Sequence, residues 1–565
     1  MSRVPSCGEH KDSEEEPMRG ASSAKWVAGA IVIALAATAC GGGDDDGGSK
    51  GSGKAGGTFR MGITEPVAID PYNAQESEGI LVTDNLFTGL YEPTADGKVN
   101  PALATSKKVS KDGKTWTFTI KKGTKFSNGE AVDAESFIRG WNRVAVKTAA
   151  SDVAYHMAGI EGFADVQSGK AKTMTGLTAP DPYTLQVKLS APDFEFYIKT
   201  THTVFSPVPK VAGDAKNKAY NEAPIGNGPF KMQGKWEHNK SITLVRNDDY
   251  GLTKAHLDKV QIDILNSANG VTLEYQGFES GQYDWARMPT PQLPAAKAKY
   301  EPQGEWIQTD TNGMNYLLPI TDNGPLKSAK AREAVSYAID RDAIIKGVFQ
   351  GMYTKSTTIL PPVFTDVYQK DLCTSCIKQD KAKAKQLAAE AGLKPGTTIE
   401  VAYNTGAGHE EWIQAVKQQL EQVLGVKVKS TGKPFAELLA DQQKPGATGM
   451  YRFAWGADYP TPDNFLYPLL DTASINKDEN GKVTGDNRGR YSNKKFDDLL
   501  AQARATEDQA GRNAIYKQAE KVAMDDVALI PLWNRTQLRL ANTKKFDGLK
   551  MDFHEDPNLA EITLK

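Results

Sequence analysis

The chain has 565 residues, of which 39% are hydrophobic and 24% are charged, and its formal net charge is -2. This length and composition are typical of a soluble globular protein with several domains and a sizeable core. A nucleic-acid partner is not expected, because phosphate binding needs an excess of positive charge that this composition does not supply.

The amino-terminal segment predicts export. Residues 26–39 form an apolar run that follows basic residues and ends in small residues before Cys40. This run is too short to span a bilayer comfortably, and its flanks are typical of a secretory signal peptide over residues 1–39. Acidic residues precede Met18 where a signal peptide needs positive charge, so we expect translation to begin at Met18.

The residues around Cys40 resemble the lipobox of bacterial lipoproteins, in which the cysteine is acylated and becomes the new amino terminus. Ala37 stands where such a motif usually has Leu. Residues 40–57 are almost entirely Gly, Ser, Asp and Lys, so they predict a flexible, lipidated tether. We therefore expect the protein on the extracytoplasmic face of the cell membrane, attached through lipid only; a secreted protein without lipid is the alternative.

Strands are predicted mainly in the first half of the body that follows the tether. Apolar and polar residues alternate over residues 116–120, 183–189 and 242–244. This period of two is typical of strands with one buried face. No strand or helix flanks the GxSxG pattern at residues 47–51, which argues against a hydrolase nucleophile there.

Helices are predicted mainly in the second half. Helical periodicity extends over residues 328–349, 381–391 and 411–424. Gly425 is expected to end the last of these helices, and strand-like segments at residues 399–403 and 426–428 flank it. The pattern predicts a βαβ unit and an α/β fold class with a strand-rich early insertion.

Several different short motifs lie along the body of the chain. Most of them are turn or strand chemistry, which identifies a fold rather than a ligand. They include Ile69-Asp70-Pro71, Trp116-Thr117-Phe118-Thr119-Ile120, Gly226-Asn227-Gly228-Pro229-Phe230, Ala338-Ile339-Asp340-Arg341, Trp455-Gly456-Ala457-Asp458-Tyr459-Pro460 and Ile530-Pro531-Leu532. In this order, from about Phe59 to Leu532, the chain resembles the dipeptide- and oligopeptide-binding family (family 5) of bacterial extracellular solute-binding lipoproteins of ABC importers.

The resemblance implies a two-lobed fold of the periplasmic-binding-protein type (type II, cluster C), whose lobes close on a cleft by hinge motion. Lobe I is expected at residues 58–90, 206–308 and 534–565. An extra strand-rich domain at residues 91–205 interrupts it, and lobe II follows at residues 309–533.

The resemblance also implies a set of ligand-binding residues. Asp458 stands where the family's aspartate binds the ligand amine, and Arg452 matches an arginine that meets the ligand carboxylate in some relatives. Trp455 and Tyr459 are expected to wall the cleft. The alternatives are a turn-capping role for Asp458, an exposed strand position for Arg452 and a core position for Trp455.

A second ligand-binding segment is expected in lobe I. Gln75 and Ser77 stand where relatives pair their main chain with a peptide. Glu76 and Glu78, in the same segment, are expected to be solvated acids rather than ligand contacts.

Two further features concern covalent and metal chemistry. Cys373 and Cys376 lie in a polar loop, and in an oxidising compartment they predict a local structural disulfide. Residues 476–487 have the spacing of a calcium loop but lack its first Asp and its bidentate Glu, so a polar hairpin is expected instead. No cofactor and no metal site are predicted.

The predicted function is capture of di- or oligopeptides and their delivery to an ABC importer, without enzymatic activity and as a monomer. The expected partners are a peptide ligand and the permease subunits. Two alternatives stay open: the same fold could bind a metal chelate, a haem or a sugar, or it could act as a receptor for peptide signals.

Overall fold

A computed structural model describes residues 53–265, 269–477 and 481–565. The predicted signal peptide, the proposed start at Met18, Cys40 and the tether up to residue 52 lie outside the described residues. Within the described ranges, no helix combines the length and the apolar character needed to cross a bilayer.

The strands are distributed along the whole body. In chain order they are β1 Thr58–Ile63, β2 Tyr91–Pro93, β3 Val99–Pro101, β4 Ala104–Val109, β5 Thr115–Ile120, β6 Leu177–Asp181, β7 Thr184–Lys188, β8 Phe230–Met232, β9 Ser241–Arg246, β10 Lys259–Ile264, β11 Trp285–Ala286, β12 Trp306–Pro319, β13 Thr398–Asn404, β14 Lys427–Lys433, β15 Met450–Gly456, β16 Asn476–Lys477, β17 Val483–Thr484, β18 Ile530–Ala541, β19 Phe546–Asp547 and β20 Thr563–Leu564.

Helices alternate with these strands. They are α1 Ser77–Leu86, α2 Ala134–Ala145, α3 Phe163–Gln167, α4 Phe196–Lys199, α5 Lys218–Asn221, α6 Gly270–Glu279, α7 Leu293–Tyr300, α8 Ala329–Ala338, α9 Arg341–Gly347, α10 Thr374–Ile377, α11 Lys381–Glu390, α12 Glu410–Leu424, α13 Phe435–Gln443, α14 Asp463–Leu470, α15 Lys494–Arg504 and α16 Gln509–Asp525.

One ten-stranded sheet extends through both lobes in the order β14-β13-β15-β12-β18-β11-β1-β10-β9-β8. The long strands β12 and β18 pair antiparallel near its centre. One end of this pair lies beside β11, where both Trp306 and Ala286 pair with Leu540. At the other end β12 pairs with β15 from Gly313 to Pro319. The two strands therefore connect the two lobes.

Separate hydrophobic cores support the lobes. A core that includes Phe59, Leu244 and Ile562 lies under the β1 side of the sheet. A second core, around Trp412 and Trp533, lies under the β13 side. Each core gathers residues from distant parts of the chain, so each lobe is stabilised by long-range apolar packing.

The predicted early insertion is a four-stranded antiparallel sheet in the order β4-β5-β7-β6, packed on α2. The strands predicted at residues 116–120 and 183–189 are confirmed as β5 and β7, which pair with each other. Trp116 stacks on Phe118 with 5.9 Å between ring centroids. Trp141 of α2 packs edge-on against Phe205 at 5.0 Å, so aromatic side chains form much of this core.

The predicted βαβ unit is confirmed. β13 and β14 are parallel neighbours, and α12 connects them. One face of α12 is buried through Ile413, Val416 and Leu420. Gly425 follows the helix with φ 69°, a left-handed conformation that glycine adopts without steric cost.

One prediction about elements is wrong, and two strands were not predicted. Residues 328–349 form two helices, α8 and α9, instead of one, because Asp340 is extended and caps α9 by accepting a hydrogen bond from the Ala343 N–H. The second half also contains β12 and β18, the two longest strands. Polar side chains such as Asn534 and Gln537 are buried in β18, so apolar alternation does not reveal it.

Two local features lie in the second half of the chain. Cys373 and Cys376 form a disulfide in the structure, and both side chains are buried. β16 and β17 form a small antiparallel ribbon, as expected for a polar hairpin at the calcium-like segment. Residues 478–480 of that segment lie outside the described residues.

Candidate functional site

Strand β15 presents an open edge between the lobes. It pairs with β12 along its whole length, from Met450 to Gly456. On its other side it pairs with β13 only at Met450 and Tyr451. The following five positions, up to Gly456, are partly accessible. Their main chain can therefore pair with an added extended segment, as edge strands do.

Asp458 lies just beyond this edge and is held by Asn464. The Asn464 side-chain oxygen accepts from the Asp458 main-chain N–H at 2.8 Å, and its side-chain nitrogen donates to Asp458 Oδ2 at 2.9 Å. Burial raises the pKa of Asp458 to about 7, and the nearby charge of Asp486 adds to the rise. Among the described residues, no cationic side chain forms an ion pair with the Asp458 carboxylate.

Arg452 lies on the open part of β15. Its guanidinium donates to Asn404 Oδ1 at 3.1 Å and to Asn315 Oδ1 at 3.2 Å, and its Nε is buried without a partner. Burial and the neighbouring charge of Arg535 lower the pKa of Arg452 to about 9. In the part of the chain that the structure describes, no carboxylate pairs with Arg452. The Arg452 guanidinium is therefore largely desolvated, although the residue is partly accessible along β15, and its counter-charge is missing.

Trp455 and Tyr459 differ in accessibility. The Trp455 ring is partly accessible, and its Nε1 donates to Asn464 Oδ1 at 3.2 Å. Tyr459 is only 2% exposed, and its ring meets the edge of His156 at 6.0 Å between centroids. Trp455 can wall the cleft, whereas Tyr459 lies behind His156 and supports it.

Three histidines surround Asp458, and motif reading identified none of them. His156 and His202 come from the inserted domain, and their ring centroids are 4.4 Å apart. Burial lowers the pKa of His156 to about 3, so its imidazole is neutral. These side chains reach Asp458 only through tertiary folding, and no local pattern marks them.

The third histidine, His554, joins the carboxyl-terminal segment to Asp458. Its Nδ1 lies 2.6 Å from Asp84 Oδ2, and its Nε2 lies 3.2 Å from the main-chain oxygen of Asp458. Burial opposes protonation, but the charge of Asp84 outweighs it and raises the pKa of His554 to about 10. The resulting imidazolium donates to both oxygens and fixes the position of Asp458.

A metal ion is a possible occupant that the geometry disfavours. His156, His202 and Asp458 each bring a ligand atom within 4.8 Å of the others. However, His202 Nδ1 accepts from the Val204 main-chain N–H at 3.0 Å. The ring proton is therefore on Nε2, which leaves this nitrogen without a lone pair. A metal-bound imidazole has the opposite arrangement, with its free nitrogen donating to an acceptor.

The lobe I segment forms the start of α1. The Gln75 side chain donates to Asp152 Oδ2 at 3.1 Å, towards the inserted domain. Ser77 is exposed and lines a cavity of about 100 Å³. The expectation of a solvated Glu76 is wrong: its carboxylate accepts from the main-chain N–H groups of Val67 and Gly79, both at 2.9 Å, and caps α1.

This cavity lies between α1, β11 and β18 and is lined by charged side chains. Glu78, also expected to be solvated, lines it and accepts from the Thr64 hydroxyl at 2.6 Å. Glu274 holds Arg287 through two side-chain nitrogens. Arg535 pairs with Glu555 at 2.9 Å. Sequence motifs identified none of these last four residues, because their partners are distant in the chain.

Comparison with known proteins identifies the family. Residues 98–477 match the profile of the bacterial extracellular solute-binding proteins, family 5 Middle. The chain belongs to this family. It is 30% identical over 519 residues to the oligopeptide-binding protein OppA of Bacillus subtilis, an alignment that covers 89% of this chain and 92% of OppA.

Solved structures agree with this family-5 assignment. The murein tripeptide-binding protein MppA of Escherichia coli aligns with TM-score 0.78 and 26% identity, covering 90% of this chain and 98% of MppA. The unliganded open form of MppA aligns with a lower TM-score, 0.67, at 26% identity, covering 91% of this chain and 99% of that one. The two-lobed α/β fold expected from the sequence is confirmed.

Proposed function

We propose that this family-5 protein captures di- or oligopeptides between its lobes and delivers them to an ABC importer. One observation carries the proposal: the open edge of β15 has the unpaired cation Arg452 at one end and the unpaired carboxylate Asp458 beyond the other. A peptide is an extended chain with an ammonium group, a carboxylate and main-chain hydrogen-bonding groups between them. It is complementary to all three features at once.

The ligands for which the relatives are named also support a peptide. OppA is named for oligopeptides and MppA for a murein tripeptide. A neutral sugar would leave both Arg452 and Asp458 without a counter-charge in a buried place, which is costly. We therefore favour a peptide over a sugar, a haem or a metal chelate, and we propose binding without catalysis by a monomer. A peptide signal would use the same site.

Lobe closure is the proposed mechanism. His554 of the carboxyl-terminal segment contacts Asp458 of lobe II, and Glu195 of the inserted domain pairs with Arg512 at 3.1 Å. These contacts support a closed arrangement in which the ligand is enclosed and the permease recognises the closed form. The proposed lobe boundaries at residues 308/309 and 533/534 fall inside β12 and inside β18. The inserted domain is proposed at residues 91–205, where a separate core lies.

Membrane attachment is proposed to occur through a lipid on Cys40, with residues 40–57 as the tether. A tether of this kind would keep the binding protein close to its permease and raise their effective concentration. Replacing Cys40 with Ala should release the protein from membranes into the soluble fraction. Retention of the Cys40→Ala protein on washed membranes would contradict lipid anchoring.

The peptide proposal is tested by titration calorimetry with trialanine and its two end-blocked forms. We expect trialanine to bind, and N-acetyl-trialanine and trialanine amide to bind at least about tenfold more weakly, because each loses one charge-assisted contact. Binding that is indifferent to both end groups, or measurable binding of neutral disaccharides with none of trialanine, would contradict a peptide site.

A further inference from the structure

Both oxygens of the Asp458 carboxylate lie on one side of a bound ammonium group, whose three N–H donors diverge, so at least one donor points away from Asp458. An ammonium group has three N–H donors, and one of the Asp458 oxygens already accepts from Asn464 at 2.9 Å. A desolvated donor that finds no acceptor costs free energy. The surroundings of Asp458 should therefore contain another acceptor that faces the same space.

His156 has the chemistry of this acceptor. Its ring is partly accessible, and no described residue hydrogen-bonds to either ring nitrogen. Its neutral imidazole has one nitrogen with a lone pair. The His156 ring packs against Tyr155 at 4.2 Å and against His202 at 4.4 Å between centroids, and these contacts restrict its rotation.

The spacing between the two acceptors fits a bridging ammonium group. The ligand atoms of His156 and Asp458 lie within 4.8 Å of each other, and they form no direct ion pair among the described contacts. Two hydrogen bonds of about 2.85 Å from one tetrahedral nitrogen place their acceptors about 4.7 Å apart. A first-row metal, with bonds of about 2.1 Å, would draw them much closer together.

We propose that His156 is a specificity-determining residue that shares the ligand's ammonium group with Asp458. This inference rests on the proposed peptide function. The site then recognises the number of N–H groups on the ligand nitrogen as well as its charge. Primary and secondary ammonium groups satisfy both acceptors, whereas a tertiary ammonium group satisfies only one.

The test uses trialanine and its N-methyl, N,N-dimethyl and N,N,N-trimethyl forms, which keep the positive charge while removing N–H donors one at a time. For the unchanged protein we expect a loss of affinity of about tenfold or more between the monomethyl and dimethyl peptides. In His156→Leu that step should shrink to less than about threefold, because only Asp458 remains to accept.

Two further variants control for folding and packing. His156→Gln keeps a side-chain oxygen acceptor. It should restore most of the loss of affinity between the monomethyl and dimethyl peptides, which we call the dimethyl step. His256→Gln changes an exposed histidine outside the site and should leave the whole series unchanged. If His156→Leu does not fold, His156→Phe, which keeps an aromatic ring but has no acceptor, should show the same reduced loss of affinity, and a full loss in that variant would overturn the inference.

The possible results separate this inference from the proposed function. An equal dimethyl step in the unchanged protein and in His156→Leu would overturn the role of His156 while leaving peptide binding intact. Failure of all four peptides to bind the unchanged protein would overturn both. Stoichiometric binding of Zn²⁺ that disappears in His156→Leu would show a metal site and would also overturn the inference.

Discussion

The Lys199 ammonium group and the Asp463 carboxylate lie 2.9 Å apart and join α4 to α14. Asp463 is fully buried and also pairs with Arg504 at 2.8 Å. Lys199 also pairs with Asp193 at 2.7 Å, within the inserted domain. Removing one member of such a network leaves a buried charge uncompensated, so the junction depends on every member.

Asp463→Asn should therefore lower the free energy of unfolding by about 3–5 kcal/mol, as measured by urea denaturation. The matched control is Asp498→Asn, which breaks the exposed pair with Lys494 and should cost less than about 1 kcal/mol. Equal losses in the two variants would contradict a structural role for the buried network.

Asp458→Asn should weaken trialanine binding by about ten- to a hundredfold, because the variant cannot form a charge-assisted pair with the ligand ammonium group. Melting of the empty protein should hardly change, since burial already disfavours the ionised carboxylate and Asn464 can still donate to the new amide oxygen. Calorimetry and thermal melting check the two parts. Undiminished binding would show that Asp458 is not the ammonium site.

Peptide binding should release protons near pH 7. The pKa of Asp458 in the empty site is about 7, so about half of the molecules carry the proton at that pH. An ammonium ligand favours the ionised form and expels this proton. Binding enthalpies in phosphate and Tris buffers should therefore differ, affinity should fall from pH 7 to pH 5, and Asp458→Asn should lose the buffer dependence. Identical enthalpies in both buffers would contradict the coupling.

His554 should make stability depend on pH in the alkaline range. Its pKa is raised to about 10 in the folded protein, above the ordinary value of about 6.5 in the unfolded chain. The stabilisation is therefore complete below pH 6.5 and is lost as pH rises towards 10. The difference in unfolding free energy between the unchanged protein and His554→Gln should be larger at pH 6 than at pH 9.5. A difference that is equal at the two pH values would contradict this role of His554.

Arg452→Met should abolish the preference for a free peptide carboxylate. The unchanged protein is expected to bind trialanine more tightly than trialanine amide, whereas the variant should bind both with similar, weaker affinity. Removal of this unpaired buried cation should not destabilise the empty protein, because methionine keeps much of the apolar stem. A persistent preference for the free acid would place the carboxylate contact on another residue.

The spacing of apolar residues in the sequence predicted the strands and helices that have one apolar face and one polar face. β5, β7 and α12 follow the expected periods because their polar residues face water. β18 was missed because it buries Asn534, Thr536 and Gln537. Gln537 is satisfied there because it donates to Glu555 and accepts from Arg539, and such polar pairs leave no apolar alternation in the sequence.

The sequence predicted only part of the candidate site, because some of its residues come together only when the chain folds. Asp458 and Arg452 lie close together in sequence, so one motif identifies both and the structure places them at the two ends of the open edge of β15. His156 lies about 300 residues before Asp458 and His554 lies 96 residues after it, and nothing near either histidine indicates a neighbouring carboxylate. Their roles depend on the inserted domain and on the carboxyl-terminal segment folding back.

Substitutions in the paired strands β12 and β18 should affect ligand affinity without changing ligand selectivity. The regular pairing of β12 with β18 shifts between Asp310 and Met314, at the passage from one lobe to the other. With the proposed hinge at this passage, we expect a change here to alter how often the empty protein closes, and this free energy would enter the binding of every ligand equally. Substitutions there would raise or lower uptake of all accepted peptides by one common factor, whereas changes at β15 alter which peptides are accepted.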